Sequence, residues 1–186
     1  MMSHDWEVKN VLRLKYNITS ENYDELYSDE QVAKYEESLE ALMESLREVN
    51  GRGILCDIGC GTLLFRMFIQ ERDIEKDIVY YVGLDLSEGM LARARRRVDA
   101  LSDVVQADAE HLPLRRKTCS VSVSYTVIDL LPAPEKMLSE CRRVTRTACI
   151  ISSLKKAQRV RARILRVGQY IGETDKDIIF VARLPP

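Results

Sequence analysis

The sequence predicts an α/β fold: a doubly wound, mostly parallel sheet with N-terminal helices and a C-terminal antiparallel hairpin. Three observations predict it. Short apolar runs alternate with amphipathic segments over most of the 186 residues, as when strands are joined by helices that cover both faces of one sheet. The first run, Ile54-Leu55-Cys56-Asp57-Ile58, opens into Gly59-Cys60-Gly61-Thr62. Glycine in such a turn reaches positive φ and lets a ligand touch the backbone. The first three runs also close on acids, Asp57, Asp85 and Asp108, at the strand ends where ligands of such sheets bind.

The elements follow in order. Residues 5–16 mix Trp6, Val8, Val11, Leu12 and Leu14 with charges, and a helix is expected there. A polar stretch with Tyr16, Tyr23 and Tyr27 comes next. Ser28 and Gln31 have capping-box spacing, so a helix is expected from there to about Val49, with Val32, Tyr35, Leu39, Leu42, Leu46 and Val49 on one face. Asn50-Gly51-Arg52-Gly53 reads as a loop into the first strand. After the glycine turn a helix is expected from Leu63 to about Glu71, then an apolar strand from Ile78 to Asp85. Ser87 is placed to cap a helix with Met90, Leu91, Ala94, Val98 and Leu101 on its apolar face. Val104–Ala107 and Val121–Ser124 read as the third and fourth strands. Pro134 suits the first turn of a helix carrying Met137, Leu138, Cys141 and Val144. Thr145-Arg146-Thr147 is expected to turn, Ala148–Ser153 to be the fifth strand, and residues 155–167 to form a basic helix. Two strand-like runs, Gln169–Gly172 and Asp177–Leu184, are close enough to pair as a hairpin.

The totals set bounds. The length suits one domain, 1–186, divided into a helical segment at 1–49, suited to a lid, and a sheet core at 50–186. Net charge is −1, so neither disorder nor a generally basic nucleic-acid binder is indicated. Charge is unevenly placed, with an acidic excess of about seven in residues 1–50 and a basic excess of about eight in 141–186. No run approaches the roughly 20 apolar residues that span a bilayer, and the start of the chain has no targeting pattern. The cysteines, Cys56, Cys60, Cys119, Cys141 and Cys149, number five and lack paired C-x-x-C spacing. No disulfide framework or zinc site is expected from them, and a cytoplasmic protein is the natural reading.

The glycine turn indicates the ligand. A dinucleotide fingerprint wants a third glycine where Leu64 stands. Asp57, two residues before Gly59, instead suits the ammonium end of an amino-acid-like ligand. Asp85 follows Gly59 by about 26 residues, somewhat beyond the separation of about 20 at which a carboxylate reaches a ribose diol. Taken singly, a strand-end Asp is often only a turn or cap residue; three in order beside a glycine turn are not so easily explained.

Asp57, Gly59 and Gly61 resemble the first motif of the class I S-adenosylmethionine-dependent methyltransferases, D/E-x-G-x-G-x-G, with Leu63 at the usual third glycine. Gln106-Ala107-Asp108-Ala109-Glu110-His111-Leu112-Pro113-Leu114 is similar to the A-D-A-x-x-L-P-F run of the subfamily that includes ubiquinone and menaquinone methylating enzymes, and Glu140-Cys141-Arg142-Arg143-Val144 to its E-x-x-R-V-L helix end. Cys119-Ser120 and Thr145-Arg146-Thr147 depart from that pattern. The resemblance covers roughly residues 50–154. It implies a Rossmann-like methyltransferase fold with S-adenosylmethionine as cofactor. It further implies that Asp108 accepts from the adenine amino group and that the Ala109 N–H faces the ring. Cys60 between the glycines, Leu86 after Asp85, and Ser124 at the end of the fourth strand complete the expected cofactor set.

Methyl transfer is an in-line displacement, so a protein mainly positions and desolvates. A base is useful only if the acceptor must lose a proton. Tyr125, Asp129 and His111 are the candidates near the reacting methyl: Tyr125 to shape the acceptor pocket, Asp129 or His111 to take a proton. No metal is expected. The N/D-P-P-Y/F pattern of enzymes acting on exocyclic or amide nitrogens is absent. Tyr16, Tyr23 and Tyr27 suit an aromatic flap over a cation. Lys155, Lys156, Arg159, Arg163 and Arg166 form a basic stripe able to track phosphates. This tilts the expected acceptor toward tRNA or protein. The alternatives are a small molecule held under the N-terminal segment, or a cofactor-binding subunit, catalytically silent or reliant on a partner protein or a second copy.

Overall fold

A computed structural model describes residues 4–49 and 53–185, with the Glu75 side chain left out. Most of the expected loop, Asn50-Gly51-Arg52, lies outside the described residues. The chain runs α1 (His4–Thr19), α2 (Tyr23–Arg47), β1 (Gly53–Ile58), α3 (Leu64–Glu71), β2 (Ile78–Asp85), α4 (Glu88–Ala94) and β3 (Ser102–Gln106). It continues through β4 (Cys119–Ser124), α5 (Pro134–Val144), β5 (Thr145–Leu154), α6 (Gln158–Ile164), β6 (Gln169–Glu173) and β7 (Asp177–Arg183). One seven-stranded sheet has the order β3-β2-β1-β4-β5-β7-β6. The first five strands are parallel, and β7 enters antiparallel between β5 and β6. The sheet is therefore doubly wound, mostly parallel and closed by the expected antiparallel hairpin.

Alternation along the strands builds two cores. Leu55, Val121, Val123, Ile150, Ile179 and Val181 point to one, with Tyr35, Leu42 and Leu46 of α2 and Phe65, Phe68 and Ile69 of α3. Cys56, Ile58, Cys149, Ile151, Phe180 and Ala182 point to the other, with Met137, Leu138, Cys141 and Val144 of α5 and Ile164 of α6. Because both faces are covered, the central strands are almost wholly buried.

Several boundaries differ from expectation. α2 begins at Tyr23 rather than at Ser28; its N-cap, Asn22, makes no side-chain cap bond. Two of the three tyrosines therefore stand on the helix. The Ser87 cap is as expected, accepting from Met90 N at 3.1 Å, but α4 stops at Ala94, which leaves Val98 and Leu101 outside it. The expected turn Thr145-Arg146-Thr147 is the start of β5, and the basic helix shrinks to Gln158–Ile164.

The cysteines require a correction. Cys56 on β1 and Cys119 on β4 form a disulfide with Cα atoms 5.8 Å apart. Neighbouring strands bring together residues separated by 63 positions, a proximity that no spacing rule detects. The cysteine pattern therefore gives no argument for a reducing compartment. Cys60, Cys141 and Cys149 are buried and free. No helix among the described residues is long and apolar enough to cross a membrane.

Candidate active site

The order of strands reverses between β1 and β4, and ligands of open α/β sheets bind outside the carboxyl ends at that point. A cavity of about 430 Å³ opens there. Its floor is Gly59 and Gly61 after β1, Asp85 and Leu86 after β2, Asp108 and Ala109 after β3, and Tyr125, Thr126 and Val127 after β4. Its roof is Lys9, Leu12 and Tyr16 of α1 with Tyr23, Tyr27 and Lys34 of α2.

The turn is glycine for steric reasons. Gly59 has φ +79°, and a Cβ there would fall 2.2 Å from Val127 Cγ2. Asp85 braces the same turn: Oδ2 accepts from Gly61 N at 2.9 Å and Oδ1 from Ser87 N at 2.8 Å. Burial nevertheless pushes its carboxyl above the usual range. At Asp108, burial acts in the same direction but is outweighed by Lys9, whose Nζ donates to Oδ2 at 2.7 Å, together with the Glu110 N–H and His111, so the group sits below the usual carboxylate range.

Other expected residues stand elsewhere. Asp57 does not line the main cavity. It lies beneath the turn, 2 % exposed, and accepts from Tyr81 OH at 2.5 Å; burial pushes its pKa up to about 7. Cys60 is buried beside it, its Sγ 2.8 Å from where a Cβ on Gly83 would sit. Ser124 is buried too and donates to the Ile58 carbonyl at 2.7 Å. All three shape the turn from behind.

The three catalytic candidates separate. Tyr125 lines the cavity, its ring packed on Tyr35 and Phe65 and its hydroxyl 2.7 Å from Ser38 Oγ; burial raises its pKa well above that of a free phenol. Asp129 does not line the cavity. Its Oδ1 accepts from Ser153 Oγ and its Oδ2 from Leu154 N, both at 2.7 Å, so it staples the loop after β4 to the end of β5. His111 is exposed, its Nδ1 3.1 Å from Asp108 Oδ2 on the outer side, and it does not line the cavity. Asp108, Glu110 and His111 offer ligand atoms within 4.8 Å of one another, but the Lys9 ammonium, 2.7 Å from Asp108 and 2.6 Å from Glu110, already supplies the positive charge there.

The sequence reading missed a buried network on the acceptor side. Lys34, fully buried, bonds Glu30 Oε1 at 2.9 Å and Thr126 Oγ1 at 2.7 Å and lies 3.2 Å from Asp177 Oδ2. Thr126 has φ 59°, a left-handed conformation uncommon for a β-branched residue. It is held there by its N–H donating to Ser152 Oγ at 2.8 Å and its hydroxyl donating to Asp177 Oδ1 at 2.9 Å. Only the Glu30–Lys34 spacing on a helix hinted at this.

The basic stripe is divided. Lys155 pairs with Glu173 at 3.0 Å and Arg163 with Glu135 at 2.6 Å. Lys156 lines the cavity beside Lys176, whereas Arg163 and Arg166 line a separate groove against Leu138 and Arg142 of α5.

Comparison with known proteins decides the family. The pattern of the methyltransferase domain matches residues 56–152, half of the chain. The chain is a class I S-adenosylmethionine-dependent methyltransferase domain. This methyltransferase is 32 % identical over 138 residues to a malonyl-[acyl-carrier protein] O-methyltransferase of Marinomonas sp. (strain MWYL1), covering 73 % of the chain and 48 % of the relative. It is 33 % identical over 104 residues to a phosphatidylethanolamine N-methyltransferase of Cereibacter sphaeroides, covering 53 % and 48 %. The chain thus spans about half the length of these curated relatives. In fold it is similar to the magnesium protoporphyrin IX methyltransferase of Synechocystis PCC 6803 with bound S-adenosylmethionine, at TM-score 0.71 and 14 % identity over 99 % of this chain and 100 % of that one.

The residues present fit that cofactor. The glycine turn leaves the main chain open to the cavity, and carboxylates line the cavity at the ends of β2 and β3. Asp85 and Asp108 with the Ala109 N–H would hold the nucleoside, and Gly59 and Gly61 would face its amino-acid end.

Proposed function

We propose that this methyltransferase transfers a methyl group to a carboxylate borne on an apolar body, forming a methyl ester. The observation that carries the reading is the chemistry of the acceptor side. Lys34, Lys156 and Lys176 line it together with Leu130, Leu131 and Leu154, and among the described residues no group there is set up as a base. Among the described residues Glu30 is the carboxylate that lines that end, with Asp177 buried behind it against Lys34. Burial raises its carboxyl, but Lys176 and Lys34 outweigh burial and hold it below the usual range. Tyr125 keeps its proton, and Asp129 and His111 lie outside the cavity. An acceptor that arrives already anionic needs no base. Lys34 is held by Glu30 and Asp177 and Lys176 by Glu30, so Lys156 is the lysine that favours one, and the leucines suit the rest of it.

When bound, S-adenosylmethionine supplies an electrophilic methyl on a sulfonium. The chain's share is placement and exclusion of water. Tyr16, Tyr23 and Tyr27 form a run of ring contacts with centroids 6.4 and 4.9 Å apart. Their faces suit a cation and close the roof against solvent. The relatives named for a malonyl-carrier and a phospholipid acceptor support an acceptor smaller than a nucleic acid. A second reading, an RNA acceptor, is favoured by one feature only: Lys156 leads from the cavity rim into Arg159 and Arg163 of α6.

The test uses tritiated S-adenosylmethionine, the chain and an extract fractionated into small molecules, protein and RNA. Label that enters the small-molecule or carrier-bound fraction and is released as methanol by mild alkali supports the ester. Alkali-stable label, or label in RNA, overturns it. Cofactor binding without transfer to any fraction points to a required partner.

A further inference from the structure

We propose that Lys9 is the positioning residue of the cofactor's purine end: its ammonium locks Asp108 and Glu110 side by side as carboxylates and fastens α1 over the cavity, so that the site selects an exocyclic amino group. This rests on the reading of the cavity as the S-adenosylmethionine site.

Lys9 is the one buried residue of α1, although lysine is almost never fully buried without partners. Three of its apolar positions turn the other way: Val11, Leu14 and Ile18 are exposed, while Leu12 and Tyr16 face the cavity. Polar contacts therefore carry much of the hold on α1. Asn17 Oδ1 accepts from Ser87 Oγ at 2.6 Å and from Gly89 N at 3.0 Å. Gly89 is needed because a Cβ there would fall 2.8 Å from Asn17 Cα. Arg13 pairs with Glu88 at 3.2 Å, and Asp5 lies 3.6 Å from Lys136. These outer pairs are at least partly solvated and weak. The Lys9 contacts are the buried ones, with side chains 4 % exposed for Lys9 and 0 % for Glu110.

Three walls meet at this ammonium. Asp108 belongs to the β3 end. Its Oδ1 accepts from Glu110 N at 2.9 Å, and its Oδ2 meets Lys9 Nζ at 2.7 Å on the buried side and the exposed His111 Nδ1 at 3.1 Å on the outer side. Glu110 Oε1 accepts from Ala133 N at 2.8 Å, tying the loop that carries Leu130 and Leu131 to the same centre. Without the lysine, two carboxylates would face each other in a buried site, and one would take a proton. An ionised Asp108 only accepts hydrogen bonds; a protonated one also donates. The first favours the amino group of adenine over the carbonyl of hypoxanthine, and the second removes that preference.

The experiment measures calorimetric affinities of S-adenosylhomocysteine and S-inosylhomocysteine, with amide exchange of residues 4–19, for the wild type, Lys9→Met and Lys9→Met/Glu110→Gln. The wild type is expected to prefer the adenosyl ligand by at least about tenfold. In Lys9→Met that preference falls to about threefold or less and α1 exchanges faster. The double variant lacks the second buried charge, so it regains most of the preference while α1 still exchanges fast. That split is one a merely structural role for Lys9 would not produce. The double variant also decides the matter should Lys9→Met not fold. A Lys9→Met chain that keeps the wild-type preference, or a double variant that regains none, overturns the proposal. A wild type that binds neither ligand overturns the cofactor reading beneath it.

Discussion

The Asp85 carboxylate accepts a hydrogen bond from the Gly61 N–H at 2.9 Å, 24 residues earlier in the chain. The acid at the tip of β2 and the glycine turn after β1 are thus one unit, and the cofactor's sugar end and amino-acid end share a support.

Asp85→Ala removes both the expected ribose acceptor and the brace. Affinity for S-adenosylhomocysteine is expected to fall by about 10- to 100-fold, as charged hydrogen bonds of about 1.5–3 kcal/mol are lost. Calorimetry checks this, and a loss under threefold counts against the assignment. Asp85→Asn, which can still accept, should lose less.

Gly59→Ala combines an unfavourable φ of +79° with a Cβ 2.2 Å from Val127 Cγ2. A destabilisation of about 2 kcal/mol or more is expected in urea unfolding, together with loss of cofactor binding. Gly59→Ala combined with Val127→Ala relieves the clash but not the strained φ, so it should recover stability in part.

Burial raises the Asp57 pKa to about 7 in the folded protein from the usual 3.8. The folded state then holds the proton where the unfolded chain has released it. This group's contribution is complete below about pH 4 and is lost as pH rises toward about 7, on the order of a few kcal/mol. Asp57→Asn keeps an acceptor for Tyr81 and removes the titration. Its melting temperature relative to wild type should therefore climb between pH 4.5 and 8, and parallel curves would disprove it.

Lys34→Ala strips the buried network of its cation and leaves Asp177 beside Thr126 without a counter-charge. A loss of about 3–5 kcal/mol is expected. Lys34→Met with Asp177→Leu removes both charges and should be much closer to wild type in denaturant unfolding.

Much of this molecule was legible where the determinants are local. The run from Ile54 to Thr62, the acids at Asp85 and Asp108, and the Ser87 cap are set by neighbours in sequence, and each stands where expected. The family resemblance is likewise upheld by the match over residues 56–152. Helix ends were less legible. α2 starts without a side-chain cap, and the capping-box spacing at Ser28 falls inside it. The roles of single residues were least legible. Asp57 sits at a strand end like Asp85 and Asp108, and Asp129 in the loop after β4, yet they bond inward to Tyr81 and to Ser153. Nothing local marks Lys9 and Lys34 for burial, because they reach Asp108 and Thr126, 99 and 92 positions away. The Cys56–Cys119 bridge was hidden for the same reason.

The antiparallel β7 has a consequence for how the molecule comes into being. Asp177, at its start, is the buried counter-charge of Lys34, and Lys176 beside it grips Glu30 at 2.7 Å. At its other end Arg183 reaches Glu44 and Glu48, both at 2.7 Å. A strand late in this domain thus clamps a helix early in it. A domain whose five parallel strands are already paired still has a loose wall on the acceptor side, and the pocket closes only when β7 docks.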